Sequence, residues 1–374
     1  MFRIAALLIF AAVPVAALAQ DAGGTKGFTV APIAAELDHP WGIAVLPDGG
    51  MLVTERSGRL RLVSTEGKVG EPIAGVPEVV ARGQGGLLDI TLHPKFADNR
   101  LVYMSFSEGG DGGNSTAVAR GTLADDGRSL ENVEVIFSQR PKVKSNMHFG
   151  SRIVFDREGR IYVGLGERSH ERFRTQAQDL NSHLGKVVRL NDDGSVPKDN
   201  PFVGKAQALP EIWSYGHRNI QAAALNLESG KLWTIEHGPK GGDEINIPKP
   251  GANYGWPVVS HGVNYDGTPV GSGKKDAPGF EDPIYTWTPV IAPSGMIFYS
   301  GKAFPDWNGD LFVGGLAAAA LVRLDLEGEK VTGEERLLTD LGMRIRDVAE
   351  TADGDILVIT DEDNGKILKI SPAD

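Results

Sequence analysis

The chain has 374 residues, no cysteine and 41 % hydrophobic content, enough to bury a large core without disulfides, which excludes disordered and fibrous classes. Thirty-eight basic against 49 acidic residues give a net charge of -11 with no basic run, which argues against a nucleic-acid partner. Any anionic ligand therefore needs a local cluster of arginines.

Residues 1–19 carry one early charge at Arg3, an apolar stretch through Leu18 and a small-x-small ending at Ala17-Leu18-Ala19. This predicts a cleaved secretory signal rather than a membrane anchor, since the stretch is at the short limit for a span and holds Pro14. No later segment is long enough to cross a bilayer. The expectation is a soluble exported protein, periplasmic or secreted, with residues 27–374 forming one domain.

One phrase then recurs six times: an apolar strand, a polar turn, and a second apolar strand. The copies are 42–45 with 51–53, 89–92 with 101–103, 152–155 with 161–163, 223–225 with 232–234, 295–298 with 311–313, and 347–349 with 356–358. Their turns, at Asp48, Asn99, Glu158, Ser229, Asn308 and Asp353, are 45 to 79 residues apart. That interval is too long for a row of hairpins and suits a four-stranded blade with variable loops. The predicted fold is all-β, a six-bladed β-propeller of four-stranded antiparallel blades, closed by pairing Phe28–Glu36 with a terminal strand at 366–370.

Five segments carry candidate chemistry. In chain order, Gln84 in Gly83–Asp89 opens the second inner strand, and its amide can bond a polar ligand on the axis. His148 opens the third, where a neutral imidazole can take a proton from a substrate hydroxyl. Arg218 and Asn219, in Tyr215-Gly216-His217-Arg218-Asn219, supply a planar cationic fork beside an amide. The stretch from Glu236 to Glu244, followed by Asn253-Tyr254-Gly255-Trp256-Pro257, offers backbone carbonyls and carboxylates, the hard-oxygen set that calcium takes. Arg344 and Arg346, two apart on a strand, point to one side, an arrangement that is costly unless an anion lies between them. Each segment also has a plain reading as a turn, a cap or a solvated edge.

Taken in order, these segments resemble the soluble PQQ-dependent aldose sugar dehydrogenases, the glucose/sorbosone dehydrogenase family. The similarity includes His39-Pro40-Trp41-Gly42, His148-Phe149-Gly150, Gly185–Leu190, Asp199–Phe202 and Ala292-Pro293-Ser294-Gly295 and runs over nearly the whole chain. It implies pyrroloquinoline quinone (PQQ) and Ca2+ as cofactors, an aldose as substrate, and a soluble or quinone electron acceptor, in a monomer or homodimer. Carried over by motif, His148 is the general base and Arg218 the stabiliser of the developing oxyanion. Gln84, Asn219, Trp287, Arg344 and Arg346 contact the cofactor. Gly238 and Pro239 offer carbonyls to the catalytic calcium, and Glu244 and Tyr254, the latter through its carbonyl, hold a separate, structural one. The chain departs from the family pattern at Met147, where an acidic or polar residue often precedes the histidine, and at Gly315–Ala320, where a lysine often stands. Two other readings of the same propeller remain open, a lactonase-type hydrolase with a channel calcium and a non-catalytic binding module.

Overall fold

The structure, a computed structural model, describes residues 18–20 and 27–373. The leader call on 1–19 therefore lies, apart from its last two residues, outside the described residues. Six antiparallel sheets are arranged in a ring, and the first strands of consecutive blades contact each other around the axis. In chain order these inner strands are Pro40–Val45, Leu87–Leu92, Gly150–Phe155, Ile220–Leu225, Pro293–Phe298 and Ile345–Glu350. All six recurring phrases are the first and second strands of a blade. Closure is as expected: Phe28–Leu37 pairs antiparallel with Gly365–Pro372 in blade 6, and Leu18–Gln20 adds a further edge strand.

Five of the six second strands, among them Met51–Glu55, Ile161–Leu165 and Ile356–Thr360, are buried at every position, because a blade is covered on both faces by its neighbours, while the longer Leu101–Gly110 emerges at its ends. An outermost strand such as Lys330–Leu337 instead alternates exposed with half-buried residues. Six apolar clusters fill the six gaps between blades. The gap between blades 3 and 4 has the smallest, with Tyr162, Val187, Ile220 and Leu232 at its centre, against fifteen buried residues between blades 5 and 6. At about 1.5–3 kcal/mol for each fully buried aliphatic side chain, that gap has the weakest hydrophobic adhesion. Polar contacts fill it instead, and they belong to the site.

Each blade has a register shift between its first two strands near the same end of the axis, for instance between Gly150 and Ile153 and between Ile345 and Asp347. Such bulges bend the strand and re-aim the residues that precede it. The loops at this end build the site.

Candidate active site

A cavity of about 280 Å³ opens on the axis at the bulged end. Its wall follows the repeat: most blades give it residues around the start of the first strand and one from just after the second. Blade 1 gives Trp41 and Arg56, blade 4 Asn219, Gln221 and His237, blade 5 Ala292 and Leu316, and blade 6 Arg344, Arg346 and Asp361. Blades 2 and 3 bring Gln84, Leu88 and Phe149–Ser151.

His148 stands at the head of blade 3, next to Phe149 of the wall, and is 4 % exposed. Its backbone N–H donates to Oε1 of Gln84 at 2.7 Å, and its φ of +51° is a sparsely populated conformation. Nδ1 lies 3.0 Å from Oε1 of Glu167. A carboxylate only accepts, so Nδ1 carries the hydrogen and Nε2 keeps its lone pair. Burial, and then the Arg218 charge, push the imidazole below its ordinary range, with Glu167 opposing them. The ring is thus a neutral base with its tautomer set. Gly166, just before Glu167, is forced by this packing, since a Cβ there would lie 2.0 Å from the His148 carbonyl oxygen.

Arg218 is buried, and its Nη1 donates to the carbonyls of His237 at 2.8 Å and Gly238 at 2.7 Å, with the guanidinium 5.1 Å above the Trp256 ring. Its Nε is buried without a partner. The backbone on either side ties two blades together: Arg218 N–H donates to the Glu236 carboxylate, and Arg218 C=O accepts from Glu167 N–H at 2.9 Å. Asn219 accepts from Gly150 N–H at 3.1 Å through Oδ1, while its Nδ2 has no partner.

Arg344 and Arg346 do converge, but the anion between them belongs to the protein. Both donate to the same Oδ2 of Asp361, at 3.0 and 2.7 Å. These two cations hold the Asp361 carboxyl well below the usual range, against the opposing effect of its burial. Arg346 is buried and its Nε remains unpartnered.

Gly238, Pro239, Glu244 and Tyr254 line one small pocket with Arg218, Glu236 and His237, so the residues predicted to hold calcium are brought together. One feature differs from expectation: the Gly238 carbonyl accepts from a guanidinium. The Tyr254 hydroxyl is used up between Ile247 C=O at 2.6 Å and Lys249 N–H at 3.0 Å, which leaves only its carbonyl to offer a cation. Glu244 is half-buried without a cationic partner among the described residues, and its carboxyl is driven well up by desolvation and by neighbouring Glu236. Two neighbouring acids, Glu236 and Glu244, with the Pro239 carbonyl in the same pocket, suit a hard cation, so this pocket fits calcium even though no cluster of three or more His, Asp or Glu residues is found among the described residues.

Trp287 is not brought to the cavity. It sits in the outermost strand of blade 4, Tyr285–Trp287, and its Nε1 donates to Glu334 of blade 5 at 2.9 Å, which makes it a rivet between blades. Trp41 is the tryptophan of the cavity wall, with the guanidinium of Arg152 4.4 Å over its ring. The sequence reading also passed over Glu167, Asp361, His237 and Asp243. His237 Nε2 donates to Pro293 C=O at 2.6 Å, and burial presses the ring to about 3. Asp243 pins the Gly238 turn by accepting from the N–H groups of Gly238, Ile291 and Ala292. A regularity could have found the first two: an acid ends or follows the second strand in the blades where a His or Arg precedes the first.

The family model described as Glucose / Sorbosone dehydrogenase matches residues 37–369. This chain belongs to that family. It is 47 % identical over 340 residues to the aldose sugar dehydrogenase YliI of Escherichia coli (strain K12), covering 90 % of this chain and 91 % of the other. The apo-form crystal structure of the soluble aldose sugar dehydrogenase from Escherichia coli superposes with a TM-score of 0.89 at 45 % identity, over 92 % of this chain and 100 % of that one. The PQQ-bound aldose sugar dehydrogenase of Streptomyces coelicolor matches with a TM-score of 0.76 at 28 % identity, over 96 % and 100 % of the two chains. The family's shared frame therefore holds both apo and quinone-bound members.

Proposed function

We propose that this chain is a sugar dehydrogenase that oxidises the C1 hydroxyl of aldoses to the lactone, with PQQ as hydride acceptor. The observation that carries this is a pair of buried donors without partners among the described residues, Arg346 Nε and Asn219 Nδ2, in the wall of a cavity that also holds Arg56 and Arg344, with Arg218 Nε orphaned in the neighbouring pocket that shares His237. Buried donors are nearly always satisfied, and a row of orphans faces a missing acceptor. A flat tricarboxylate quinone has that chemistry.

When bound, PQQ supplies an electrophilic quinone carbon that accepts a hydride. The protein's part begins with Arg344 and Arg346, whose guanidinium groups hold carboxylates by charge-assisted bonds. His148 Nε2 takes the C1 hydroxyl proton as the C1 hydride leaves. Glu167 keeps the imidazole in the required tautomer and stabilises the imidazolium that forms. Arg218 Nε offers a donor to developing negative charge. Ca2+ would be held by the carbonyls of Gly238 and Pro239 and would act as a Lewis acid, and Arg218 Nη1 must release Gly238 for it to do so. A second calcium would use Glu244 and the Tyr254 carbonyl. The location that agrees with residues 1–19 is the periplasm, and the electrons pass to a soluble or quinone acceptor. Among the described residues no helix is long and apolar enough to span a membrane.

The hydrolase reading is disfavoured by sign. The wall bears one acid, Asp361, against three arginines, whereas a channel cation that activates water needs converging carboxylates. The test uses purified apoprotein, with PQQ added with and without Ca2+, and follows dye reduction over a panel of aldoses. Activity that needs both additions is expected. Lactone hydrolysis without PQQ would overturn the reading.

A further inference from the structure

Of the four charged groups on the cavity wall, three are already engaged with each other: Arg344 and Arg346 share one oxygen of Asp361. That triad leaves one net positive charge. Arg56 is the fourth group, and no carboxylate lies within ion-pairing distance of it among the described residues. Its position is nevertheless closely specified. Arg56 N–H donates to His39 C=O at 3.1 Å and Arg56 C=O accepts from Leu87 N–H at 3.2 Å, so the backbone is tied to the heads of blades 1 and 2. Gly86 packs directly on its stem: a Cβ there would lie 2.7 Å from Arg56 Cγ and 1.9 Å from its carbonyl oxygen. The same Gly83–Leu87 segment carries Gln84, which holds the backbone of His148. Across the wall, blade 5 contributes only Ala292 and Leu316 and no charge.

We infer that Arg56 is a third anion-binding residue of the cavity and takes a carboxylate of the cofactor that the Arg344–Arg346–Asp361 triad does not reach. The inference rests on the PQQ reading and adds a residue that the motifs do not mark. An unpaired guanidinium fixed by its stem on the wall of a closed-in site doubles the net charge offered to a trianion. A bond of this type is worth about tenfold or more in affinity.

The test is titration of apoprotein with PQQ, read by the cofactor's absorbance and by protein fluorescence, so that no turnover is needed. Arg56→Gln is expected to weaken binding by about tenfold and to flatten its dependence on ionic strength, while Arg56→Lys keeps most of both. Arg344→Gln serves as the parallel case, and thermal unfolding reports whether each variant is folded. Wild-type affinity in Arg56→Gln, with Arg344→Gln weakened, would overturn this inference and leave the function standing. Wild-type protein that takes up no PQQ would overturn both. Should Arg56→Gln fail to fold, Arg56→Lys and Arg56→Met carry the same comparison.

Discussion

Blades 3 and 4 hold the same device in two environments. In each, a histidine ahead of the first strand meets a glutamate 19 residues later at the end of the second: His148 with Glu167 at 3.0 Å, and His217 with Glu236 at 3.2 Å. In blade 4 the ring's other nitrogen is taken by Ser214 Oγ at 2.8 Å, and the ring stacks on Tyr254 with centroids 4.7 Å apart. A Ser–His–Glu row of this kind looks like a hydrolase triad, yet all three residues are almost wholly buried and no substrate can reach the serine. In blade 3 no described residue satisfies Nε2, and the cavity adjoins it through Phe149. The lesson is that two like histidines are told apart by the bond one of them lacks, and that difference is what favours His148 as the proposed base. The two pairs are also joined through Arg218, whose N–H meets Glu236 and whose C=O meets Glu167, across the gap with the smallest apolar cluster.

The sharpest way to break this contrast is to remove each ring. His148→Ala should lower kcat by about 10²–10⁴-fold while PQQ titration stays near wild type, with a smaller fall in Tm because water from the adjoining cavity can replace the ring beside Glu167. His217→Ala should instead destabilise by about 3 kcal/mol, because it leaves Glu236 and Ser214 buried without their partner. Equal kcat losses with equal Tm would show that the buried pair shares in the chemistry.

Replacing the carboxylates comes next. Glu167→Gln keeps an acceptor for Nδ1–H but loses the charge that stabilises the imidazolium, and should reduce kcat by about ten- to a hundredfold. Glu236→Gln should act mainly on Tm. A smaller effect is expected in the pH profile. His148 must be neutral to work, and its folded value lies below the ordinary one, so the acid limb of kcat/KM should fall below about pH 6.5. Glu167 opposes that depression, so Glu167→Gln should move the limb to still lower pH. A limb at or above the ordinary histidine value would contradict the burial of the ring.

Much of this was legible before the fold was seen. The six phrases and the closing strand follow from turn chemistry and from the continuous apolar runs that two-sided burial demands. His148, Gln84, Asn219, Arg344 and Arg346 fell at strand starts, which is where a propeller aims its axial residues. What escaped was long-range pairing. Glu167 lies 19 residues from His148 and Asp361 lies 17 from Arg344, so neighbouring positions such as Met147 gave no hint of either. Trp287 was misplaced for a different reason. A lone aromatic residue looks equally suited in sequence to a quinone and to an interblade core, and only its place in the outermost strand of blade 4 separates the two.

The strand Phe28–Leu37 also governs how the molecule comes into being. It is synthesised ahead of every blade, yet its partner Gly365–Pro372 follows all the other blade strands, with Thr29 and Ser371 facing each other across 342 residues. Until that partner is made, blade 6 cannot form and the first strand has a bare edge. Contacts so distant in sequence slow folding and lengthen the exposure of that edge to other chains. Loss of the last ten residues should therefore yield aggregates rather than a smaller, five-bladed enzyme.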